Sequence, residues 1–334
     1  MQTISLVPRD TVEFFADMLH EIDHQPYELL RAATIPSDIH FNPDYQYLPE
    51  SCLKNFFEVL TAHLCQQRLA WIFYRACKET CVPRLIALIT ERSSLQAALQ
   101  QFCTQLQTQS TGSHCYLKQV AGKWWFIREK SGEDEAWFRT AETFAVICMA
   151  ELLRTLTQDD WCPKSIGIQS DATDALSQLP LLANAQFFIG RSATVVEIST
   201  ALVSKPVSLA TPFIHVDQTA TPDNPMSFAE QFRMSITPYL SMGKLPIKIA
   251  AEILRLNVRT LQRRLKQENI IYKSFIEHLV FEQVCQRLKR GDESITQIAN
   301  RYGYSDAAHF SRSFKRIYGV SPSQYRKMPD LIGR

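Results

Sequence analysis

Ile295-Thr296-Gln297-Ile298-Ala299-Asn300-Arg301-Tyr302-Gly303-Tyr304-Ser305-Asp306-Ala307-Ala308-His309-Phe310-Ser311-Arg312-Ser313-Phe314-Lys315-Arg316 is the stretch on which the reading of this chain turns; Gly319-Val320-Ser321-Pro322-Ser323-Gln324-Tyr325-Arg326 closes it. Ser294 and Gln297 stand at capping-box spacing, which predicts a helix that begins at Ile295 and ends where Gly303 supplies a positive φ. After a short turn, Asp306 or Ser305 can cap a second helix. Phe310, Phe314 and Ile317 form its apolar side, and Ala308, Ser311, Arg312 and Lys315 fall opposite. Ser321 before Pro322 predicts one more short helix, with proline at the first helical position, where its missing N–H costs nothing.

Working upstream, the same design recurs. Ile247 to Leu254 is apolar at helical spacing, Asn257 is a cap, and Val258 to Gln267 is a second helix with Leu261 and Leu265 inward and Arg259, Gln262, Arg263 and Lys266 outward. An offset of 49 residues carries Asn257 onto Asp306, Leu261 onto Phe310, Arg263 onto Arg312, Leu265 onto Phe314 and Lys266 onto Lys315. Between the copies, Ser274 and Glu277 have capping-box spacing, so the connecting helix is expected to open there and run to about Leu288, roughly 24 Å at 1.5 Å per residue. A small, basic exposed helix face suits a DNA major groove, and two such helices on one strut can reach successive grooves about 34 Å apart.

This stretch resembles the DNA-binding domain of the AraC/XylS family of transcriptional regulators, in spacing, caps, glycine and the closing Gly-Val-Ser-Pro-Ser-Gln-Tyr-Arg. The resemblance covers roughly the last quarter of the chain. Carried over by position, it implies base reading by Arg259, Gln262 and Arg263 in the first recognition helix and by Ala307, Ala308, His309 and Arg312 in the second. Lys266, Lys315 and Arg316 are the expected phosphate contacts. The sequence departs from the family pattern at Arg255, where a turn glycine is common, and at Val280, where an arginine usually stands in the connecting helix.

Charge is divided in keeping with this. The net charge of +2 over 334 residues conceals 18 Lys and Arg against 8 Asp and Glu from Ser241 onward, and 18 against 26 before it. A basic module on an acidic body is the electrostatic footprint of a DNA binder with a separate regulatory part. Nine cysteines lie scattered without a Cys-x-x-Cys pair, and Met1 to Leu19 has neither the basic start nor the apolar run of a signal peptide. Reduced thiols and a cytoplasmic protein are expected, and no apolar run is long enough for a membrane span. Cys77 and Cys81 sit four apart on an expected helix; with no histidine near them, core thiols are the favoured reading over a metal or redox pair.

The front part reads as α+β. Val12 to Leu19, Pro49 to Leu64, Leu69 to Cys77 and Ser94 to Leu106 have one-sided helical spacing; His114 to Val120 and Lys123 to Arg128 form a hairpin around Ala121-Gly122. A long helix is expected from Glu135 to Leu156, ended by Asp159-Asp160-Trp161-Cys162-Pro163, then strands at Ser165 to Gln169, Gln186 to Ile189 and Thr194 to Ile198. Ser94-Leu95-Gln96-Ala97-Ala98-Leu99, the hairpin and Phe187 to Pro206 resemble the effector-binding domain of the subgroup of the family that includes ornithine-utilisation and virulence regulators. The expected organisation is an α+β effector-binding and dimerisation domain at 1–215, a linker at 216–225 rich in Thr, Pro and Asp, and an all-α domain of two helix-turn-helix motifs at 226–334. All five tryptophans lie in the front part, where Trp71, Trp124, Phe126 and Trp137 are candidate effector contacts, although such aromatics are more often core.

Taken together, the expectation is a sequence-specific transcriptional regulator, an activator, controlled by a small-molecule effector and acting as a homodimer on promoter DNA with RNA polymerase as a further partner. No cofactor, metal or membrane is called for. Two alternatives stay open: control by protein partners or dimerisation without a ligand, and an enzyme fused to a DNA-binding module. Against the enzyme stand the lack of Gly-x-Ser-x-Gly, of a phosphate-binding glycine loop and of the Pro-Cys-His-Arg of DNA-repair alkyltransferases.

Overall fold

The computed structural model describes residues 4–109, 112–158, 161–207, 226–242 and 245–327. In chain order the elements begin with β1 (Leu6–Pro8), α1 (Arg9–Asp17), α2 (Tyr27–Ala32), β2 (Tyr47–Pro49), α3 (Ser51–His63), α4 (Gln66–Ala76), α5 (Val82–Ala87) and α6 (Leu95–Gln109). They continue with β3 (His114–Val120), β4 (Lys123–Glu129), α7 (Phe138–Thr157), β5 (Ser165–Gly167), α8 (Thr173–Leu176), β6 (Gln186–Phe188), β7 (Thr194–Ile198) and α9 (Thr200–Val203). The last part is helical: α10 (Phe228–Ile236), α11 (Ile247–Ile253), α12 (Val258–Gln267), α13 (Tyr272–Arg290), α14 (Ile295–Arg301), α15 (Ala307–Tyr318) and α16 (Pro322–Lys327). An α+β front part and an all-α C-terminal part are therefore both present.

The chain divides into two compact units, one of Asp10–Ser37 with Cys52–Asp223, the other of Met1–Arg9 and Asp38–Ser51 with Asn224–Arg334. This differs from the continuous front domain expected over 1–215, because two early segments belong to the C-terminal unit. The linker expected at 216–225 lies outside the described residues.

In the first unit a five-stranded sheet runs in the order β3-β4-β7-β5-β6. The expected hairpin is its edge, with Leu117 opposite Phe126 and Val120 opposite Lys123, and Ala121 and Gly122 both turn at positive φ. β7 pairs antiparallel with both β4 and β5, while β5 and β6 are parallel. Phe126, Ile166, Val196 and Ile198 are buried on this sheet, and α7, whose Ala145, Val146 and Leu152 are also buried, packs against β7. Glu142 of α7 is buried yet satisfied: its carboxylate accepts from the Gln169 and Ser170 amides, both at 2.8 Å, and from the Thr194 hydroxyl at 2.6 Å. A buried carboxylate so surrounded is a joint between helix and sheet rather than a reactive group. The helix starts at Phe138 rather than Glu135, because Gly132 to Glu135 is a turn, and it ends with Gln158 in the left-handed region; Asp159 and Asp160 lie outside the described residues.

In the second unit β1 and β2 pair antiparallel, Leu6 opposite Pro49 and Val7 opposite Leu48. This ribbon lies against α10, where the Ile4 amide donates to the Gln231 side chain at 2.9 Å. Ile4 and Leu6 join Phe232, Ile236, Leu261 and Phe281 in one hydrophobic core. The Ser51 hydroxyl donates to the Ile253 carbonyl at 2.5 Å, and Asp44 receives Arg287 at 2.7 Å and Arg290 at 2.5 Å.

Candidate nucleic-acid interface

The two helix-turn-helix units are built from local chemistry that the sequence announces. In the first, α11 ends at Leu254, Arg255 takes φ +51° and the Leu256 amide returns to the Ala251 carbonyl at 2.8 Å. Here an arginine occupies a backbone region that favours glycine, so the turn departing from the family pattern keeps its shape at a conformational cost. In the second, Gly303 takes φ +75° and the Tyr304 amide returns to the Ala299 carbonyl at 3.0 Å, the same closure with an unstrained residue. Ser294 and Gln297 form the expected reciprocal capping box on α14, and Ser321 with Gln324 does the same for α16.

Both recognition helices carry their expected caps. The Asn257 side chain accepts from the Arg259 amide at 2.9 Å, while Asp306 accepts from the Ala308 amide at 2.8 Å and the His309 amide at 3.1 Å. Those two amides hold the Asp306 carboxyl below the usual carboxylate range. Leu261 and Leu265 of α12 and Phe310 and Phe314 of α15 are buried, the phenylalanines among Phe281, Tyr304 and Tyr325. Burying one face of each helix fixes which residues look outward.

Those outward residues match the sequence expectation in exposure. Arg259, Gln262, Arg263 and Lys266 of α12 are exposed, as are Ala308, His309, Arg312, Lys315 and Arg316 of α15; Ala307 is half-buried. Among the described residues no ion pair engages Arg259, Arg263 or Lys266. Arg312 lies 3.9 Å from Asp306 with 72% of its side chain exposed, a contact too solvated to hold it. His309 leans on the Tyr304 ring, 5.6 Å between centroids. Arg316 is different: it pairs with Glu277 of α13, so a phosphate must compete with that carboxylate.

The connecting helix departs from its expected start. Ser274 does not cap it, since Ile271 precedes the first turn without a side-chain cap and Glu277 serves Arg316 instead. Two neighbours explain the earlier start: Asn269 at φ +56° ends the preceding helix, and the Tyr272 hydroxyl donates to the Leu245 carbonyl at 2.7 Å. With 19 residues the strut measures roughly 28 Å at 1.5 Å per residue. Val280 is buried in the core, where the family's usual arginine would not fit uncompensated.

Sequence reasoning missed Arg287. It bridges Asp44, Glu293 at 2.7 Å and the Tyr302 hydroxyl at 3.2 Å, tying α13 to the second helix-turn-helix and to the early segment. Only its position in the last turn of a helix was legible, and one of its three partners, Asp44, is 243 residues away in sequence.

The candidate effector residues are not assembled in this way. Trp71 is exposed beside Tyr74, Phe126 is buried against Phe102, and Trp124 is half-buried. Trp137 is buried next to Phe138, its indole N–H donating to Glu135 at 2.7 Å and Lys54 lying over its ring at 4.7 Å. Among the described residues no ring contact joins any two of the four. No described group of three or more His, Cys, Asp or Glu is arranged to hold a metal ion, and no described helix is long and apolar enough to cross a membrane.

Comparison with known proteins agrees with the geometry of the C-terminal part. A family described as "Helix-turn-helix domain" matches residues 250–328. The HTH-type transcriptional activator RhaS of Enterobacter sp. (strain 638) is 36% identical over 81 residues, 24% of this chain and 29% of that one. The MmsAB operon regulatory protein of Pseudomonas aeruginosa is 42% identical over 50 residues, 15% of this chain and 16% of that one. These matches span less than a third of either relative's length. The crystal structure of the transcriptional regulator CdpR from Pseudomonas aeruginosa aligns over 91% of this chain and 97% of that one, at 15% identity and a TM-score of 0.35. Residues 250–328 are thus a helix-turn-helix domain of the AraC/XylS type.

Proposed function

We propose that this protein is a sequence-specific, double-stranded-DNA-binding transcriptional regulator, an activator, which acts in the cytoplasm rather than as an enzyme. One observation carries the reading: α12 and α15 are each anchored by a side-chain cap and a buried apolar face, and each turns basic side chains outward. Rigid seating of this kind is what directional contacts to base edges require. The RhaS relatives are named activators, which supports the direction of control. Arg259, Gln262 and Arg263 read bases from the first helix and Ala307, Ala308, His309 and Arg312 from the second, while Lys266, Lys315 and Arg316 hold phosphates.

In this reading the α+β unit binds a small effector and a second copy of the chain, and RNA polymerase is engaged at the promoter. The DNA-binding module begins near residue 226 and is completed by the β1–β2 ribbon. Selection of bound sequences from a random duplex pool with the full chain tests the core of the proposal. Two informative half-sites about one helical turn apart are expected, with affinity falling steeply between about 50 and 200 mM salt. A featureless pool with salt-independent binding would overturn it. A thermal-shift screen of small metabolites and sedimentation of the full chain test the effector and the dimer in turn.

A further inference from the structure

The offset of 49 residues that relates the two recognition helices also carries α10 onto the middle of α13: Phe232 falls on Phe281, Ile236 on Cys285 and Phe228 on Glu277. Phe232 and Phe281 are both fully buried, the first against Phe275 and the second against Phe310 and Phe314. Each helix-turn-helix thus has a third helix behind it, seated by an equivalent phenylalanine. Four residues before that phenylalanine, on the same helix face, stands a side chain that reaches a basic residue of the recognition helix. The two copies use different chemistry for this hold.

In the first copy the Arg264 guanidinium of α12 lies over the Phe228 ring at 5.3 Å, and that ring stacks on Phe232 at 6.2 Å. An aromatic face attracts a cation without carrying a charge of its own. In the second copy the hold is ionic. Arg316 of α15 pairs with the Glu277 carboxylate of α13, with 65% of the arginine side chain and 28% of the glutamate side chain exposed. Arg316 follows the exposed Arg312 by one turn, so this carboxylate stands beside the stripe of α15 that faces outward. A carboxylate offers a guanidinium the same charge-assisted oxygens as a phosphate does.

We infer that Glu277 is a specificity-determining residue, an internal phosphate mimic that withholds Arg316 from loosely bound DNA and gives it up to a phosphate of the fully seated target. This rests on the reading of Arg316 as a phosphate contact. An exposed ion pair shifts an equilibrium by only about two- to fivefold, so Glu277 is a brake and not a lock. On a random duplex the phosphates stand at no fixed place relative to α15, and Arg316 stays with the carboxylate. On the target, base contacts from the same helix hold one phosphate where it can displace Glu277. The first recognition helix has no such brake, because Phe228 replaces the acid there.

The test uses the full-length protein and two labelled duplexes, one of random sequence and one enriched from a random pool, with affinities followed by fluorescence anisotropy between about 50 and 200 mM salt. Glu277→Gln is expected to tighten binding to the random duplex about two- to fivefold and to steepen its log–log salt slope by about 0.9, the mark of one added phosphate contact. The enriched duplex is expected to gain less, so discrimination falls. In an Arg316→Ala background the same Glu277→Gln change is expected to leave the slope as it was. An unchanged slope with Arg316 present, an equal steepening without it, or weaker binding to both duplexes would overturn the inference while DNA binding itself stands. Failure of the unmodified chain to bind either duplex would overturn the DNA-binding reading, and this inference with it.

Discussion

At the scale of single residues, α12 and α15 offer different chemistry for the base reading proposed for them. Arginine and glutamine make directional, often bidentate base contacts, each contributing about 1–3 kcal/mol of discrimination. Arg263→Ala is therefore expected to erase preference at one base position, while Lys315→Ala weakens all sequences alike; binding curves on matched and mismatched duplexes separate the two. The caps differ as well. Asp306 is held below its ordinary pKa by the Ala308 and His309 amides, so its contribution is complete above the ordinary carboxylate pKa and is lost as pH falls through the lowered one. Asn257 does not titrate. Hydrogen exchange at falling pH is expected to loosen the start of α15 before that of α12, and equal loosening would show that the Asp306 cap is idle. Asn257→Ala should cost about 1 kcal/mol at every pH, measured by denaturant unfolding.

At the scale of elements, α13 does more than separate two recognition helices. Its last turn places Arg287 between Asp44, Glu293 and Tyr302, with the Arg287 side chain 12% exposed and that of Asp44 only 4%. Removing one partner from such a buried arrangement leaves a charge without compensation, at a cost of about 3–5 kcal/mol. Because Arg290 still reaches Asp44, the lower end of that range is expected for Arg287→Ala. Asp44→Ala together with Arg287→Ala should be milder than the two single losses added, and additive denaturation energies in that cycle would remove the coupling. Gly291 ends the strut at φ +80°, in the left-handed region that favours glycine.

At the scale of the molecule, the C-terminal unit is assembled from three pieces of chain. Ile4 and Leu6 are both buried in its core, and each such burial contributes roughly 1.5–3 kcal/mol. A fragment of residues 223–334 lacks these side chains and Asp44. It is expected to stay helical yet unfold at least about 3 kcal/mol more easily than the same unit within the full chain. Hydrogen exchange on α10 and α13 in the two proteins measures this, and equal protection would show that the β1–β2 ribbon adds nothing.

The sequence by itself determined what local chemistry controls. Ser294 with Gln297, Asn257, Asp306 and Gly303 set helix ends within a few residues, and apolar spacing settled which faces turn inward. Exposure of Arg259, Gln262, Arg263 and Arg312 followed from those two facts. Only tertiary structure decided which distant segments share a core: β1 and β2 carry three residues each, too few for any periodicity to reveal them. Ser274 had the right spacing for a cap and lost to Tyr272, whose hydroxyl is held by a carbonyl 27 residues away. A pattern along the chain records the surface a helix must bury, but the partner is chosen by packing that spans the whole sequence.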